Sequence, residues 1–225
     1  MPDAGSRRGL FEAAEPWTRD VSGLPKAGES DTIIGALAGA GGWGTGDFRI
    51  DFSITLQGAD ANTPRRTFTP KDDAWAEATL GDSSLAEFYR PDCEQAEVPV
   101  PVGGALEGED GYACENDGDC HLLVVATDEH RLYEMWRADL RGTTFLGGCL
   151  ATWDLTRAYG ESLRGRGCTS ADAGGFPIAG MLVTPEEVAS GDVPHALRFI
   201  LPNARIRRGI YVPPGTHSTF ATRGG

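Results

Sequence analysis

The sequence predicts an all-β fold, a single β-sandwich or jelly roll with a few short helices at its edges. Segments that alternate apolar and polar residues outnumber helical ones, and no strand–helix–strand alternation appears. Turn formers are abundant, with 31 glycines and 14 prolines among 225 residues. Because 40% of the residues are hydrophobic, one substantial core is possible. We expect an extended N-terminal segment over 1–30 and a single β-rich domain over 31–225.

The first half of the chain holds one helix and one clear strand. "SDTIIGALAGAGGWG" has helical spacing of its apolar residues, Ser30 or Asp31 as a cap, and glycines that end it. "FRIDFSITL" (48–56) alternates with period two and predicts a half-buried strand. The polar stretch 57–97 predicts long loops, and "EVPVPVGGALEGEDG" predicts extended chain, because its prolines are excluded from helices and central strands.

The second half predicts a hairpin, a short helix and three further strands. The hairpin strands are "HLLVVAT" and "RLYEMWRADL", with "DEH" at the turn. In "TPEEVASGD" Thr184 is the expected N-cap, Pro185 the first helical residue and Gly191 the stop. The further strands are "TTFLGGCLATWDLT", "HALRFIL" (195–201) and "GIYVPPGTH" (209–217). The last of these runs into "HSTFATRGG" without a capped element.

The formal net charge of −13 excludes some partners. A strongly acidic surface repels nucleic acid phosphates and anionic membranes, so we expect neither as a partner, and no stretch is apolar enough to span a membrane. A neutral polysaccharide is compatible with this charge, whereas a polyanionic one is a poor fit. The oligomeric state does not follow from the sequence.

The five cysteines predict a disulfide-bonded, secreted chain. Their spacing suggests that Cys114 pairs with Cys120 and Cys149 with Cys168, which leaves Cys93 over. No CxxC pair is present, so a zinc ribbon is not expected. The N-terminus has no apolar leader, and we expect any signal peptide to have been removed or to lie outside this sequence.

The hairpin places ionisable residues in apolar strands. His121 shares strand parity with Leu123, and Glu134 shares it with Trp136. An even number of turn residues would put His121 and Glu134 on one face of the sheet, and an odd number would separate them. The even case places an imidazole, a carboxylate and an indole on one surface, as in a sugar-binding cleft.

Acid/base chemistry on a polysaccharide would need a second carboxylate, at roughly 5–5.5 Å for retention or 6.5–9.5 Å for inversion. Glu134 is the first candidate for proton transfer. The candidates for the second carboxylate and for supporting roles are Asp172, Asp154, His121, His195 and His217. The ordinary alternatives stay open: Glu134 could be solvated or paired with Arg137 or Arg198, Asp172 could close an Asx-turn, and each histidine could be a simple hydrogen-bonded residue.

Other residues are candidates for binding a sugar or an ion. Arg137 and three tryptophans are candidate substrate contacts, namely Trp43, Trp136 and Trp153. Asp117 and Asp119 resemble half of a calcium loop without its distal glutamate, so a solvated acidic turn competes with a calcium site. Histidines 121, 195 and 217 with Glu134 or Asp172 could hold a metal, although no HxH or HxxxH spacing supports one.

Long motifs in the chain resemble a family of secreted proteins from soil and environmental bacteria. They are "EPWTRDVSGLP", "GGWGTGDFRIDFSI", "TPRRTFTP", "DGDCHLLVV…RLYEMWRA", "CTSADAGGFPI" and "HALRFILPNARIR…YVPPGTHST", across roughly residues 11–225. The resemblance implies secretion and a continuation past "THST", but no particular activity. Because this chain stops there, the resemblance implies that the domain over 31–225 is C-terminally incomplete. It also implies that the hairpin cysteines are staples, and that five residues occupy recurring motif positions: His121, Glu134, Asp172, His195 and His217.

Three hypotheses follow from the sequence. The first is a secreted carbohydrate-active enzyme of glycoside-hydrolase type, with a polysaccharide lyase as its less favoured variant. For this enzyme we expect Glu134→Gln to leave the melting temperature nearly unchanged and to lower the activity by a factor of about 10²–10⁴. The second is a non-catalytic glycan-binding or cell-surface module that uses Trp17, Trp43, Trp75, Trp136 and Trp153 as stacking platforms. The third is a histidine-liganded metal enzyme.

Overall fold

The computed structural model shows a mainly-β chain. It describes residues 10–42, 50, 53–71, 94–116, 118–167, 170–201, 205–206 and 209–218. Two short helices lie in these residues, α1 (Ser30–Gly39) and α2 (Pro185–Ser190). The strands are β1 (Leu56–Ala59), β2 (Arg65–Thr67), β3 (Thr69–Pro70), β4 (Glu97–Pro99), β5 (Leu122–Ala126), β6 (Arg131–Trp136), β7 (Asp139–Arg141), β8 (Thr144–Gly147) and β9 (Cys149–Asp154).

A four-stranded sheet in the order β1-β5-β6-β9 forms the centre. β1 pairs parallel with β5, and the other two pairs are antiparallel. The predicted hairpin β5–β6 is confirmed, with a turn over 127–130. This turn is even, so Leu123 pairs with Glu134, and His121 and Glu134 share strand parity.

Both faces of the central sheet are covered. One face carries Leu123, Leu132 and Trp153 into a core that we call the loop-side core, because segments without regular secondary structure cover it, including Phe11 and Ile178. The opposite face carries residues such as Leu122 and Met135 into the sheet-side core, covered by the two-stranded sheet β2-β4 and the three-stranded sheet β3-β8-β7. Since both its faces are buried, β5 is continuously apolar rather than alternating.

Several predicted strands differ from the structure. The strand predicted over 48–56 is shifted: residues 53–55 are not in a strand, β1 begins at Leu56, and part of the prediction lies outside the described residues. Segments 195–201 and 209–217 were predicted as strands and are not, among their described residues. Their amides bond to loops instead of a strand ladder: Ala196 donates to the Trp17 carbonyl and Thr216 to the Gly174 carbonyl. In these two segments the alternation of apolar and polar residues therefore belongs to a chain that lies against other loops and not to a strand of a sheet.

Other local predictions are confirmed or refined. "TTFLGGCLATWDLT" forms two strands, β8 and β9, because the chain changes partner at Gly148, whose amide bonds to the Trp136 carbonyl. Among the described strands, the proline-containing β4 pairs with β2 alone, and an edge strand tolerates proline. The extended N-terminal segment contributes Phe11 and Trp17 to the loop-side core.

The two helices begin and end largely as their sequences predict. In α2, Thr184 accepts from the Glu187 amide in a capping box, and Gly191 ends the helix with a positive φ of 72°. α1 ends at glycines, and the Gly42 amide bonds to the Leu37 carbonyl. Its predicted side-chain cap is absent, because the helix already begins at Ser30 after an N-cap Glu29 that makes no side-chain cap bond. Within the described residues, neither helix has the length and apolar character that crossing a bilayer requires.

The disulfide between Cys114 and Cys120 is confirmed. It closes a loop of six-residue separation directly before β5, and it fixes the approach to His121. Cys149 is also disulfide-bonded, with its partner outside the described residues. The predicted Cys149–Cys168 pairing and the state of Cys93 lie outside them as well.

Two glycines test how tightly the chain is packed. A Cβ at Gly147 would lie 2.5 Å from the ring of Phe68, which is fully buried, so Gly147→Ala is expected to lower the free energy of unfolding by about 1–3 kcal/mol. Gly35 lies on the exposed side of α1 with nothing within 4 Å of an added Cβ. Gly35→Ala is therefore expected to stabilise the chain by about 0.5–1 kcal/mol through helix propensity. Urea denaturation measures the free energy of unfolding of both variants, which should change in opposite directions. Equal changes in the two variants would contradict this description of the packing.

Candidate functional site

A pocket of about 1010 Å³ opens on the side of the loop-side core. Three stretches of the chain build most of it: 16–22, 172–181 and 192–201. Five residues nearer the C-terminus complete its lining: Ile206, Ile210, Pro214, His217 and Ser218. Three of the predicted site residues line it together, namely Asp172, His195 and His217. The pocket is therefore the place where distant candidate residues meet.

An ion pair lies at one end of this pocket. The Asp172 Oδ1 atom is 2.7 Å from Arg198 Nη1, and the two side chains are 13% and 19% exposed. The other carboxylate oxygen, Oδ2, accepts from the Gly174 amide at 2.9 Å and more weakly from the Phe176 amide at 3.4 Å. Asp172 thus closes the predicted Asx-turn and, in addition, fixes a guanidinium group in the pocket wall.

Each pocket histidine has one ring nitrogen fixed by a carbonyl group. Nδ1 of His217 is 2.9 Å from the Ala173 carbonyl oxygen, and Nδ1 of His195 is 2.9 Å from the Ala196 carbonyl oxygen. Because a carbonyl only accepts, Nδ1 carries a proton in both rings, and in the neutral form of His217 the basic nitrogen is Nε2. Nε2 of His195 is buried and lies 3.5 Å from Glu187 Oε1, without a hydrogen bond to any described residue.

The remaining lining is largely apolar. Phe199 and Ile200 are large apolar side chains of this lining that are 59% and 81% exposed. Trp17 and Met181 form buried parts of the wall, and Phe176 is half-buried. A pocket with apolar walls and a few fixed polar groups is the usual form of a small-ligand site.

Glu134 does not line the pocket. It is fully buried, and its oxygens accept three hydrogen bonds, from the Ala179 amide at 2.7 Å, the Ile178 amide at 3.0 Å and the Trp153 indole at 3.0 Å. Burial raises the pKa of Glu134 to about 7, and the three N–H donors and the Arg198 charge oppose that rise. The carboxylate therefore anchors the turn at 178–181 to the sheet from behind the pocket wall.

This environment changes the expectation for Glu134→Gln. The amide group of glutamine has only one acceptor oxygen, so at least one of the three N–H donors would face an NH₂ group. The variant is expected to lower the melting temperature, not to leave it nearly unchanged. Loss of activity in this variant would then not separate chemistry from folding.

His121 also lies outside the pocket lining. Its Nδ1 is 2.7 Å from Glu107 Oε2 and its Nε2 is 3.2 Å from the Ala171 carbonyl oxygen. The ring is 8% exposed. His121 therefore contacts the residue next to Asp172 and does not itself face a ligand in this pocket.

The other predicted site residues are dispersed. Trp153 is fully buried, with its indole N–H on Glu134, and it offers no stacking face to a ligand. Trp136 is half-buried, donates to Asp119 and lies under the Arg137 guanidinium. Asp154 accepts from the amide and hydroxyl groups of Thr156 in a local turn. The structure does not bring these residues to the pocket, and Trp43 and Trp75 lie outside the described residues.

The described residues do not assemble the histidine metal site. Both ring nitrogens of His121 are engaged by Glu107 and Ala171, and the described histidines join no group of potential ligand atoms close enough for one ion. The group that does come together is Glu109 with Cys114 and Cys120, whose sulfurs form the disulfide and are not thiolates. Asp119 accepts from Trp136, and Asp117 lies outside the described residues. We therefore assign neither His121 nor Asp119 as a metal ligand.

Sequence reasoning missed the apolar wall and the role of Arg198. Arg198 was considered as a partner for Glu134, but its ion pair is with Asp172. Strand alternation in "HALRFI" would have put Phe199 on the side opposite Arg198 and Ile200, whereas all three line the pocket. No family model, no curated protein and no solved structure matches the chain.

Proposed function

We propose that the chain binds a carbohydrate in the pocket and acts as a glycan-binding module. The observation that carries this proposal is the ion pair of Asp172 and Arg198 at 2.7 Å in the wall of a pocket of about 1010 Å³. Sugar rings present apolar faces and pairs of hydroxyl groups. Aromatic side chains suit the faces, and planar charged groups suit the hydroxyl pairs.

The apolar and the polar parts of the pocket wall would have different roles in recognising a sugar. Phe199 and Phe176 would supply ring contacts to the apolar face of a sugar. Asp172 holds Arg198 in place through one guanidinium nitrogen, Nη1. The other N–H groups of Arg198 would donate hydrogen bonds to hydroxyl oxygens of the sugar. Because Asp172 balances the charge of Arg198 and the whole chain is acidic, a neutral sugar suits the pocket better than a uronate.

Binding is favoured over hydrolysis by the position of the carboxylates. Glu134 is sealed behind the turn at 178–181 and accepts three protein hydrogen bonds. Three carboxylates line the pocket: Asp172 is committed to Arg198 and to two amides, Asp20 accepts from the Ser22 amide, and Asp192 is an exposed residue of the rim. A glycoside hydrolase needs two carboxyl groups that reach the scissile bond from either side.

A glycoside hydrolase remains the second candidate, and the position of His217 favours it. The imidazole is anchored to the Ala173 carbonyl, directly after Asp172 in the chain, and its Nε2 is the basic nitrogen of the neutral ring. In this version Asp172 and His217 carry proton transfer, and Glu134 only supports the wall.

Secretion and the finer fold belong to the same proposal. The disulfide of Cys114 and Cys120 supports an oxidising location, such as the extracellular space. Sheets packed on both sides of a common core support a sandwich or jelly-roll arrangement. The resemblance to secreted proteins of environmental bacteria agrees with secretion.

The test is affinity electrophoresis of the wild-type chain in gels that contain single neutral soluble polysaccharides. Phe199→Ala removes an exposed ring from the pocket and is expected to weaken a detected affinity about fivefold to tenfold, while the melting temperature stays unchanged. Ile33→Ala, equally exposed but on α1, is the matched control and should bind as the wild type does.

Two results would contradict the proposal. If none of the polysaccharides retards the wild-type chain, the proposed carbohydrate binding is wrong. If Phe199→Ala is retarded as strongly as the wild type, the binding surface lies outside this pocket. The same samples, assayed for new reducing ends and unsaturated products, separate the binding module from a hydrolase and a lyase.

A further inference from the structure

His121 connects two loops that are far apart in the sequence. Its Nδ1 contacts Glu107 at 2.7 Å and its Nε2 contacts the Ala171 carbonyl oxygen at 3.2 Å. The backbone reinforces the first contact, because the Glu107 amide donates to the His121 carbonyl at 2.9 Å. Ala171 directly precedes Asp172, which lines the pocket. One side chain therefore ties the pocket loop over 170–176 to the loop that contains Glu107.

Both contacts require a proton on the ring. A carboxylate and a carbonyl oxygen only accept hydrogen bonds, so each ring nitrogen has to donate. The ring that satisfies both partners is the imidazolium ion. A neutral imidazole carries one N–H and can satisfy only one of them.

The charges around His121 favour this imidazolium. Burial of the ring lowers its pKa, but the Glu107 hydrogen bond and charge, the Asp119 charge and the Ala171 hydrogen bond raise it, and the net result is a pKa above the ordinary 6.5. The groups that face the ring from its surroundings are thus acidic. Glu109 adds a further carboxylate on the Glu107 loop, where it accepts from the Glu115 and Asn116 amides.

We propose that His121 is a pH-dependent positioning residue: its imidazolium holds the 170–176 loop in the geometry that presents Asp172 to the pocket, and deprotonation releases that loop. The effect on the loop stands independently of what the pocket binds. Its effect on ligand affinity rests on the proposed function.

Loss of the proton would change the contact with Ala171. The Glu107 carboxylate is the stronger acceptor, so the remaining proton stays on Nδ1. The lone pair of Nε2 then faces the carbonyl oxygen of Ala171, where a hydrogen bond was present. Because the folded-state pKa is raised, this stabilisation is complete below pH 6.5 and is lost as the pH rises through the folded-state pKa.

Glu107→Gln is the decisive variant. A glutamine amide can donate to Nδ1, so a neutral His121 can keep its Nε2–H on Ala171 and satisfy both ring contacts without a charge, although the longer bond of 3.3 Å from the His121 amide to the Glu107 Oε2 atom is lost. This variant is expected to lower the pKa of His121 and to leave the loop closed at high pH. His130→Gln is the matched control, since His130 forms an exposed pair with Glu12 at 2.8 Å, outside the pocket.

The measurements are the NMR titration of His121 and hydrogen exchange of the Gly174, Gly175 and Phe176 amides, all of which bond to Asp172. In the wild type, the exchange of these amides, corrected for its intrinsic pH dependence, is expected to accelerate about tenfold as His121 deprotonates. His130→Gln should behave as the wild type does, and Glu107→Gln should show no such acceleration.

The proposal is overturned if the wild-type amides follow intrinsic exchange throughout, if Glu107→Gln accelerates as the wild type does, or if His121 titrates at or below pH 6.5. None of these readouts needs a ligand. If the exchange behaves as expected but no polysaccharide is retained in the electrophoresis, the proposed function fails and the positioning role stands. If a polysaccharide is retained, its affinity should fall over the same pH range in the wild type but not in Glu107→Gln.

Discussion

Glu134→Leu is expected to lower the free energy of unfolding by about 3–5 kcal/mol, or to prevent folding. The leucine side chain has a similar volume but no acceptor. The Ile178 and Ala179 amides and the Trp153 indole would keep their buried N–H groups without a partner. Each buried donor left in this way costs about 1–3 kcal/mol.

Glu134→Gln should fall between the wild type and Glu134→Leu, because it keeps one acceptor oxygen. We expect a loss of about 1–3 kcal/mol, measured by urea denaturation at pH 8. Glu161→Gln is the matched control: that carboxylate is 67% exposed and lies 3.5 Å from Arg19, so its replacement should change stability by less than about 0.5 kcal/mol. A Glu134→Leu chain as stable as the wild type would show that these three bonds do not hold the turn at 178–181.

The ranking of these variants also bears on function. An acid/base residue is replaced by its amide with little change in stability when its carboxylate faces a ligand site. Glu134 faces protein donors on both oxygens, and its loss should act first on the pocket wall through Met181, the last residue of the anchored turn. A stable Glu134→Gln chain with abolished hydrolysis of a polysaccharide would restore Glu134 as the catalytic residue and displace the binding module.

Features set by neighbouring residues could be predicted from the sequence. The capping box of α2 follows from Thr184 and Glu187 three positions apart. The hairpin follows from two apolar runs with a charged turn between them, and counting parity identified the shared face of His121 and Glu134 as one of two alternatives. Turn length was the missing quantity, and it depends on His130 adopting a left-handed conformation that the sequence does not dictate.

The pocket could not be predicted in the same way. Its walls come from three separate stretches, and contacts such as that between the Ala196 amide and the Trp17 carbonyl join residues far apart in the chain. "HALRFIL" alternates as a strand does, yet no strand pairs with it among the described residues. The period of two therefore predicted a strand where the chain instead lies against loops. Local propensity also treats Glu134 and Asp172 as equivalent carboxylates. Their roles differ because one lies behind the wall and the other in it.

The second large effect is expected at Asp172. Asp172→Asn keeps an oxygen that can accept from the Gly174 amide, but it removes the charge opposite Arg198. Asp172→Ala removes both. We expect losses of about 1–2 and about 2–4 kcal/mol of unfolding free energy, respectively, because the pair is largely withdrawn from solvent.

Binding should respond more strongly to Asp172→Asn than stability does. Without its carboxylate partner the Arg198 side chain loses its fixed orientation, so the affinity for a retained polysaccharide is expected to fall at least about tenfold. Asp31→Asn is the matched control, since Asp31 forms an equally short but exposed bridge of 2.6 Å to Lys26, and it should bind and unfold as the wild type does. An Asp172→Asn chain that binds with wild-type affinity would mean that the polar end of this pocket does not contact the ligand. A loss of binding without the smaller loss of stability would instead mean that Asp172 contacts the sugar directly, rather than through Arg198.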